Sequence, residues 1–410
     1  MKLPDDWKYI KLSDITTPLT EMAGDKKYET LSISAGIGFV NQAKKFGKEL
    51  SGKQYEKYTV LQRGDFSYNK GNSKKYPQGC IYQVTDRDCA AVPNVFESFR
   101  FILGINDYYE QLFVSGFLNH QLASRINHGV RDDGLLNLTG KDFYDCFVPS
   151  PPLAEQKKIA EILYKQDKLI LFKQKLLEQK QQQKKWLMQK LLEIPHTDAD
   201  CEEKISLGGV VIDKSGWKKE RFSDFSEIVS GGTPRTDKSS FWNGDIYWCT
   251  PTDITSSEKY ISVTEKRITK KGLENSSAIL LPKDSILMCS RATIWPRCIN
   301  KVPMTTNQGF KSFIIKTNHA ITEFVYYLID ICITDFKKLA SGSTFIELSK
   351  SDLSNYEIYL PSLPEQKIIA KVLSAADKEI ALIKSSIEQE KQKKKSLAQL
   401  LLTGTVRVKI

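Results

Sequence analysis

Apolar residues recur at intervals of three and four, or their sums, along two stretches of the chain. In the first they fall at Ile159, Leu163, Ile170, Leu177, Leu187 and Leu191. In the second they fall at Ile369, Leu373, Ala376, Ile380, Ile383, Ile387, Leu397 and Leu401. The spacing marks one face of a helix, and its persistence marks a coiled-coil seam. Prolines precede both stretches (Pro149, Pro151, Pro152; Pro361, Pro364), and neither Gly nor Pro returns until Pro195 and Gly404. Proline suits a helix start and breaks a helix interior. Two helices of roughly 40 residues, about 60 Å each, are therefore predicted. Both seams turn polar at the same place, Lys180 and Lys184 in one and Glu390 and Lys394 in the other. A single apolar stripe this long needs a partner. Each helix is the nearest partner for the other, as an antiparallel coiled coil.

Elsewhere the pattern shortens. Runs such as DIYWCT, SILMCS and KSFIIK, bounded by Gly, Pro, Asn and Ser, read as strands within regions 15–148 and 225–358. Each region ends in a helical pattern, YEQLFVSGFLNHQLAS or ITEFVYYLIDICITDF. The expected class is α+β, with two globular domains separated by the two long helices.

The chain also repeats itself. PPLAEQKKIAEILYKQDKLI from Pro151 returns as PSLPEQKIIAKVLSAADKEI from Pro361, with eleven of twenty positions identical at an offset of 210. Trp7, Leu12, Ser13 and Asp14 match Trp217, Phe222, Ser223 and Asp224; Leu138 and Asp142 match Leu348 and Asp352. Leu187, Gln189, Leu191 and Leu192 match Leu397, Gln399, Leu401 and Leu402. The middles lose register: QRGDFSYNKG meets LPKDSILMCS only after a shift of about nine residues, so an internal two-fold repeat has diverged at its centres.

Composition narrows the function. The 410 residues are 40% hydrophobic and 10% aromatic, with a net charge of +11. That excess is compatible with a polyanion partner. No run of about 18 apolar residues and no signal-peptide pattern is seen, and a cytoplasmic protein is expected. Eight cysteines form no CxxC, and no histidine stands at ligand spacing, so free thiols are expected. Loops rich in cations, amides and aromatics stand at 67–79 (SYNKGNSKKYPQG), 230–244 (SGGTPRTDKSSFWNG), 290–297 (SRATIWPR) and 305–309 (TTNQG). Arg and Lys suit guanine and phosphate, and Asn and Gln suit adenine. There is no GxxxxGK[ST] phosphate loop, and the one PP dipeptide, in SPPL at 150–153, lacks the neighbours that amino-methyltransferases use. Two other classes fit less well. One is a stand-alone Mg-dependent nuclease, from Pro4-Asp5 followed by Asp25-Lys26-Lys27, in which two carboxylates would hold the metal. The other is a coiled-coil adaptor that never touches DNA.

Two dissimilar domains, each followed by a helix opening P-x-L-x-E-Q-x-x-I-A-x-x-L, resemble the specificity (S) subunit of type I restriction–modification enzymes. The segments carrying this are PPLAEQKKIAEIL, PSLPEQKIIAKVL, SGGTPRTDKSSFWNGDIYWCTPTDI and YTVLQRGDFSYNKG. The resemblance implies a target recognition domain at 1–150, a spacer helix at 151–195, a second recognition domain with a short linker at 196–360, a second helix at 361–403 and a tail at 404–410. It implies a non-catalytic DNA-reading subunit, each domain taking half of a bipartite asymmetric site, with the helices setting the spacer between halves. Implied partners are double-stranded DNA, two methyltransferase subunits using S-adenosylmethionine, and restriction subunits using ATP and Mg; no cofactor is implied in this chain. The expected DNA-binding residues are Lys70, Asn72, Ser73, Lys74, Lys75, Tyr76 and Arg131, then Thr233, Arg235, Arg291, Asn307, Gln308, Ser343 and Thr344. The expected partner-docking residues are Glu155, Gln156, Ile159, Leu163, Glu365, Gln366, Ile369 and Leu373.

Overall fold

The structure, a computed structural model, describes residues 3–48, 52–71, 76–126, 136–192, 204–207, 210–290, 295–340 and 347–410. Two helices of 40 residues are formed: Leu153–Leu192 starts directly after Pro152, and Leu363–Leu402 carries Pro364 in its first turn, where proline is tolerated. The chain divides into two compact units, Met1–Lys175 with Ser385–Ile410, and Leu176–Lys384. The division cuts both long helices, so each unit owns one globular domain and part of each helix.

In the first unit an antiparallel sheet runs in the order Thr16–Pro18, Glu97–Phe101, Phe66–Asn69, Cys80–Gln83. Phe66 stands opposite Phe99, their rings stacked at 5.5 Å, and Phe101 stacks on Tyr109 at 4.3 Å. Tyr109 belongs to helix Asn106–Val114, which covers this sheet. The helical pattern expected over 109–124 is broken after Val114. Gly116 takes φ +80°, and the chain restarts as helix Asn119–Arg125.

The second unit repeats the sheet order with different residues: Ser226–Ser230, Phe310–Ile315, Ile286–Cys289, Arg297–Asn300, plus a parallel edge strand Tyr260–Ile261. Ile286 faces Phe313 as Phe66 faces Phe99. Thr16 and Ser226 both donate to a carbonyl four residues back, at 2.6 Å. The diverged centres therefore keep one sheet topology, and matching Phe66 with Ile286 shifts the register by ten rather than nine. Helix Thr322–Leu339 is unbroken. Strands Lys8–Lys11 and Phe147–Ser150 pair in the first unit, Lys218–Arg221 and Glu357–Leu360 in the second, each with the register that the 210 offset requires.

Within each unit the long helices pack antiparallel, and the polar breaks in the seam become cross-helix contacts. Lys173 and Gln166 reach Glu390, and Lys394 reaches Asp167, in the first unit. Lys180 meets Glu379 and Lys184 meets Asp377 in the second. Half-exposed pairs of this kind add little stability; they fix register, while Ile159, Leu163, Leu187 and Leu191 supply the buried apolar area.

Two expected boundaries change. Residues 404–410 are not a free tail. Arg407 reaches the carboxylates of Glu155 and Asp6 at 2.8 and 2.7 Å, and Val408 packs against the core of the first unit. The stretch assigned as linker holds an antiparallel ribbon, Lys204–Leu207 with Val210–Asp213, whose Ile212 enters the core of the second unit. Seven cysteines are free among the described residues, five of them buried. No helix is long and apolar enough to cross a membrane among the described residues. Asp5 and Asp25 are exposed, and no group of three or more His, Cys, Asp or Glu placed to hold a metal ion occurs among the described residues.

Candidate nucleic-acid interface

The second unit builds its candidate site by pressing one glycine-rich loop into another. Gly231 lies so close to the loop after strand Met304–Thr306 that a Cβ would sit 1.9 Å from the carbonyl of Asn307. A Cβ on Gly232 would sit 2.3 Å from the amide nitrogen of Ala278. Only glycine fits either position. The Gly232 N–H donates to the Thr306 carbonyl at 2.9 Å, and Trp248 Nε1 donates to the Gly232 carbonyl at 2.9 Å. This contact brings Thr233 and Gln308 into a side-chain hydrogen bond across 75 residues of sequence. Asn307 Oδ1 accepts from the Gly309 N–H at 2.9 Å, so its amide shapes the turn. Arg235 is exposed and forks onto Asp237, and its carbonyl takes the Trp242 indole N–H at 3.1 Å.

The sequence reading missed a further exposed cation in the same unit. Strand Lys266–Ile268 pairs with Trp242–Cys249, placing Arg267 opposite Tyr247. The Arg267 guanidinium lies 4.6 Å over the Tyr247 ring, with Nη2 3.4 Å from its hydroxyl. Lys266 and Arg267 are exposed and form no ion pair among the described residues. A guanidinium flattened on a phenol keeps its outer fork for phosphate or the guanine edge. The signal was present as KRI after a turn, but it carries no glycine loop to draw attention.

In the first unit three turns converge on a cleft of about 890 Å³ whose lining includes Tyr68, Tyr76, Cys80 and Tyr82. A Cβ on Gly79 would meet the Asn69 carbonyl at 2.3 Å, and one on Gly36 would meet the Tyr76 hydroxyl at 2.7 Å. Tyr68 donates to the Gln78 carbonyl at 2.8 Å, and Tyr82 accepts from the Gly36 N–H at 2.8 Å. Burial pushes the Tyr82 phenol up to about 12, so it is neutral over the working range. Lys70 leans towards Glu97 at 3.7 Å, and its carbonyl accepts from the Leu136 N–H. At the matching strand of the second unit the charges are reversed: Lys311, nearly buried, pairs with Glu347 at 3.0 Å. Of the expected contacts, Asn72, Ser73, Lys74, Lys75, Arg131, Arg291, Ser343 and Thr344 lie outside the described residues. Tyr76 lies in the cleft; Thr233, Arg235, Asn307 and Gln308 share one surface in the second unit.

The docking assignment is corrected. Ile159, Leu163, Ile369 and Leu373 are fully buried in the cores of their own units, and Glu155, Gln156 and Gln366 are equally enclosed. Gln156 Oε1 accepts from the Ile105 N–H at 2.8 Å while its Nε2 donates to the Pro151 carbonyl. Gln366 does the same with the Ile321 N–H at 2.9 Å and the Pro361 carbonyl. Ile105 and Ile321 cap helices Asn106–Val114 and Thr322–Leu339, so each glutamine fastens a long helix to its domain. Burial raises the Glu155 carboxyl, but Arg407 and the Trp7 indole outweigh it and hold the group charged. Glu365 is only half-buried and instead caps Ser362, at 2.8 Å from its hydroxyl. The buried residues shared by both copies, Gln156 and Gln366, Ile159 and Ile369, Leu163 and Leu373, serve internal fastening.

This duplicated arrangement, an α+β recognition domain clamped to a long antiparallel helix pair, is the fold of restriction–modification S subunits. The chain is similar to the solved type I S subunit from M. genitalium, 13% identical, with a TM-score of 0.56 over 98% of each chain. Residues 214–392 match the type I restriction modification DNA specificity domain. It is 29% identical to the putative MjaX specificity subunit of Methanocaldococcus jannaschii, over 100% of this chain and 95% of that one. It is 39% identical to the MjaIX specificity subunit of the same organism, over 45% of this chain and 42% of that one.

Proposed function

We propose that the chain is the DNA-recognition subunit of a type I restriction–modification complex, each domain reading one half of a bipartite asymmetric site. The carrying observation is the Gly231–Gly232 loop locked to Asn307–Gln308. It presents Thr233, Arg235 and Gln308 on a scaffold made of sheet and helix, and the same unit exposes Arg267 stacked on Tyr247. Rigid loops with amide and guanidinium ends suit base edges and phosphates. In this reading the subunit catalyses nothing and holds no cofactor. S-adenosylmethionine belongs to two methyltransferase partners, and ATP and Mg belong to restriction partners in the cytoplasm. Docking falls to the outward faces of the helices, where Tyr164, Phe172 and Leu382 are exposed, and not to the buried Gln156, Ile159, Leu163, Gln366, Ile369 and Leu373.

The test is methylated-adenine mapping in cells carrying this chain with and without its neighbouring methyltransferase. A split motif that appears only with both supports the reading, and a folded, co-purifying pair that yields no new methylation overturns it. Within that assay Arg267→Ala relaxes one base position by about 1–3 kcal/mol if the guanidinium reads a base. If it holds phosphate, all sites weaken together and the salt dependence falls by about one unit.

A further inference from the structure

The same three-way polar joint occurs in each unit: its aspartate and lysine are related by the 210 offset, and its third member stands six residues after the capping residue Ile105 or Ile321 in each recognition-domain helix. In the first unit Asp167, on helix Leu153–Leu192, accepts from Gln111 Nε2 at 3.0 Å and from Lys394 Nζ at 2.7 Å. Gln111 is buried on the recognition-domain helix, and Lys394 stands on the opposing long helix. In the second unit Asp377, on helix Leu363–Leu402, accepts from the Tyr327 hydroxyl and from Lys184 Nζ. Tyr327 is fully buried on the recognition-domain helix Thr322–Leu339, and Lys184 again belongs to the opposing long helix. The aspartate and lysine are the same in both copies. The donor from the recognition domain has changed from an amide to a phenol and kept its role.

A buried donor aimed at a carboxylate is costly to leave unpaired, and a cation on the far side holds that carboxylate in place. The joint lies eleven residues, about 16 Å of helix, beyond Gln156 and Gln366. Those glutamines fasten the start of the same recognition-domain helix. One attachment alone would let a domain turn about it; two attachments along one axis fix its angle.

Building on the specificity-subunit reading, we infer that Asp167 and Asp377, with Lys394 and Lys184, are positioning residues. They set the angle at which each recognition domain leaves its own helix pair. They touch no base, so they govern how strictly a half-site must be placed rather than which bases it contains. Tyr327 also holds Lys259 through its hydroxyl at 2.9 Å and its ring at 4.3 Å, which ties the sheet edge at Tyr260–Ile261 to the same point. Lys259 reaches Ser374 on the long helix as well, at 2.9 Å.

The test uses the full chain with its methyltransferase partner and DNA duplexes carrying the mapped split site. Spacers are native, or one base pair shorter or longer. Asp377→Ala is expected to raise methylation of the off-length duplexes relative to native about tenfold, with base preferences inside each half-site unchanged. Tyr327→Phe removes only the hydroxyl and is expected to act in the same direction, which keeps the test available should Asp377→Ala fold poorly. A fall in all substrates together with an unchanged off-length ratio in both variants overturns the positioning role and leaves a structural one. If the unmodified complex methylates no split site, the specificity reading fails on its own, and that result is scored before any variant is compared.

Discussion

Leu163→Ala separates internal fastening from partner docking. Leu163 is fully buried in the core of the first unit, which also contains Tyr108, Leu112, Phe113 and Ala398. That core draws its members from a helix, a sheet and the opposing long helix, elements held on several sides, so the space left collapses only in part. Removing three side-chain carbons from such a site costs about 3–4 kcal/mol. With a urea dependence of about 2–3 kcal/mol/M for a unit of this size, the midpoint falls by roughly 1–2 M. The assay is hydrogen exchange by mass spectrometry across a urea series. Peptides from helix Asn106–Val114 report the first unit, and peptides from Thr322–Leu339 report the second. The expected outcome is a shifted transition in the first set, and methyltransferase capture unchanged under conditions where the variant is folded. An unshifted transition together with lost capture would refute the reasoning and return Leu163 to the docking face.

Two pH effects follow from groups near the joints. Glu110 is raised to about 7 by burial first and by Asp107 and Asp167 next, against Lys394. Its folded pKa lies above the unfolded value, so its contribution is fully present below about pH 4.5 and is lost as pH rises through 7. The loss is on the order of 3 kcal/mol, read as a falling urea midpoint that flattens in Glu110→Gln. Lys259 is lowered to about 8, burial outweighing the pull of Asp377 and Glu323. Its depressed pKa means that stability present above pH 10.5 is lost as pH falls through 8. A ¹³C-methylated Lys259 resonance should titrate near 8, and a midpoint above 10 would rule this out.

Much of the frame was legible because it rests on periodicity and repetition. The prolines and the three-and-four spacing located both long helices to within two or three residues. What misled was the step from shared sequence to shared partner. The seam's polar interruptions were visible without their partners, and the antiparallel packing gives Lys180 and Lys184 the acids Glu379 and Asp377. That pairing joins residues almost 200 apart and leaves no local trace. The Gly231–Gly232 loop was visible as a loop, but its lock on Asn307–Gln308 depends on a close approach that composition does not encode. Arg267 escaped for the opposite reason: its partner Tyr247 lies across a strand pair, where two unremarkable residues become a stacked cation.

The contrast between the two halves of Glu-Gln shows how recognition domains can diverge on a fixed frame. Gln156 and Gln366 bind backbone groups, the Ile105 and Ile321 amides and the Pro151 and Pro361 carbonyls. Any domain sequence offers such groups, so this clamp tolerates wholesale replacement of the side chains around it. Glu155 instead binds side chains, Trp7 and Arg407, and its counterpart Glu365 has lost that arrangement. Among the described residues the Trp217 indole N–H is left without a hydrogen-bond partner, while Lys214 lies 5.9 Å over its ring. The joint at Asp167 and Asp377 lies between these cases: it needs a donor from the domain but accepts either an amide or a phenol. Attachment through backbone and through interchangeable donors leaves the loops around Gly231 and Tyr76 free to change what they read. The long helices keep Gln156 and Gln366, Asp167 and Asp377, and Leu163 and Leu373 in common, and these serve the chain's own architecture in both copies.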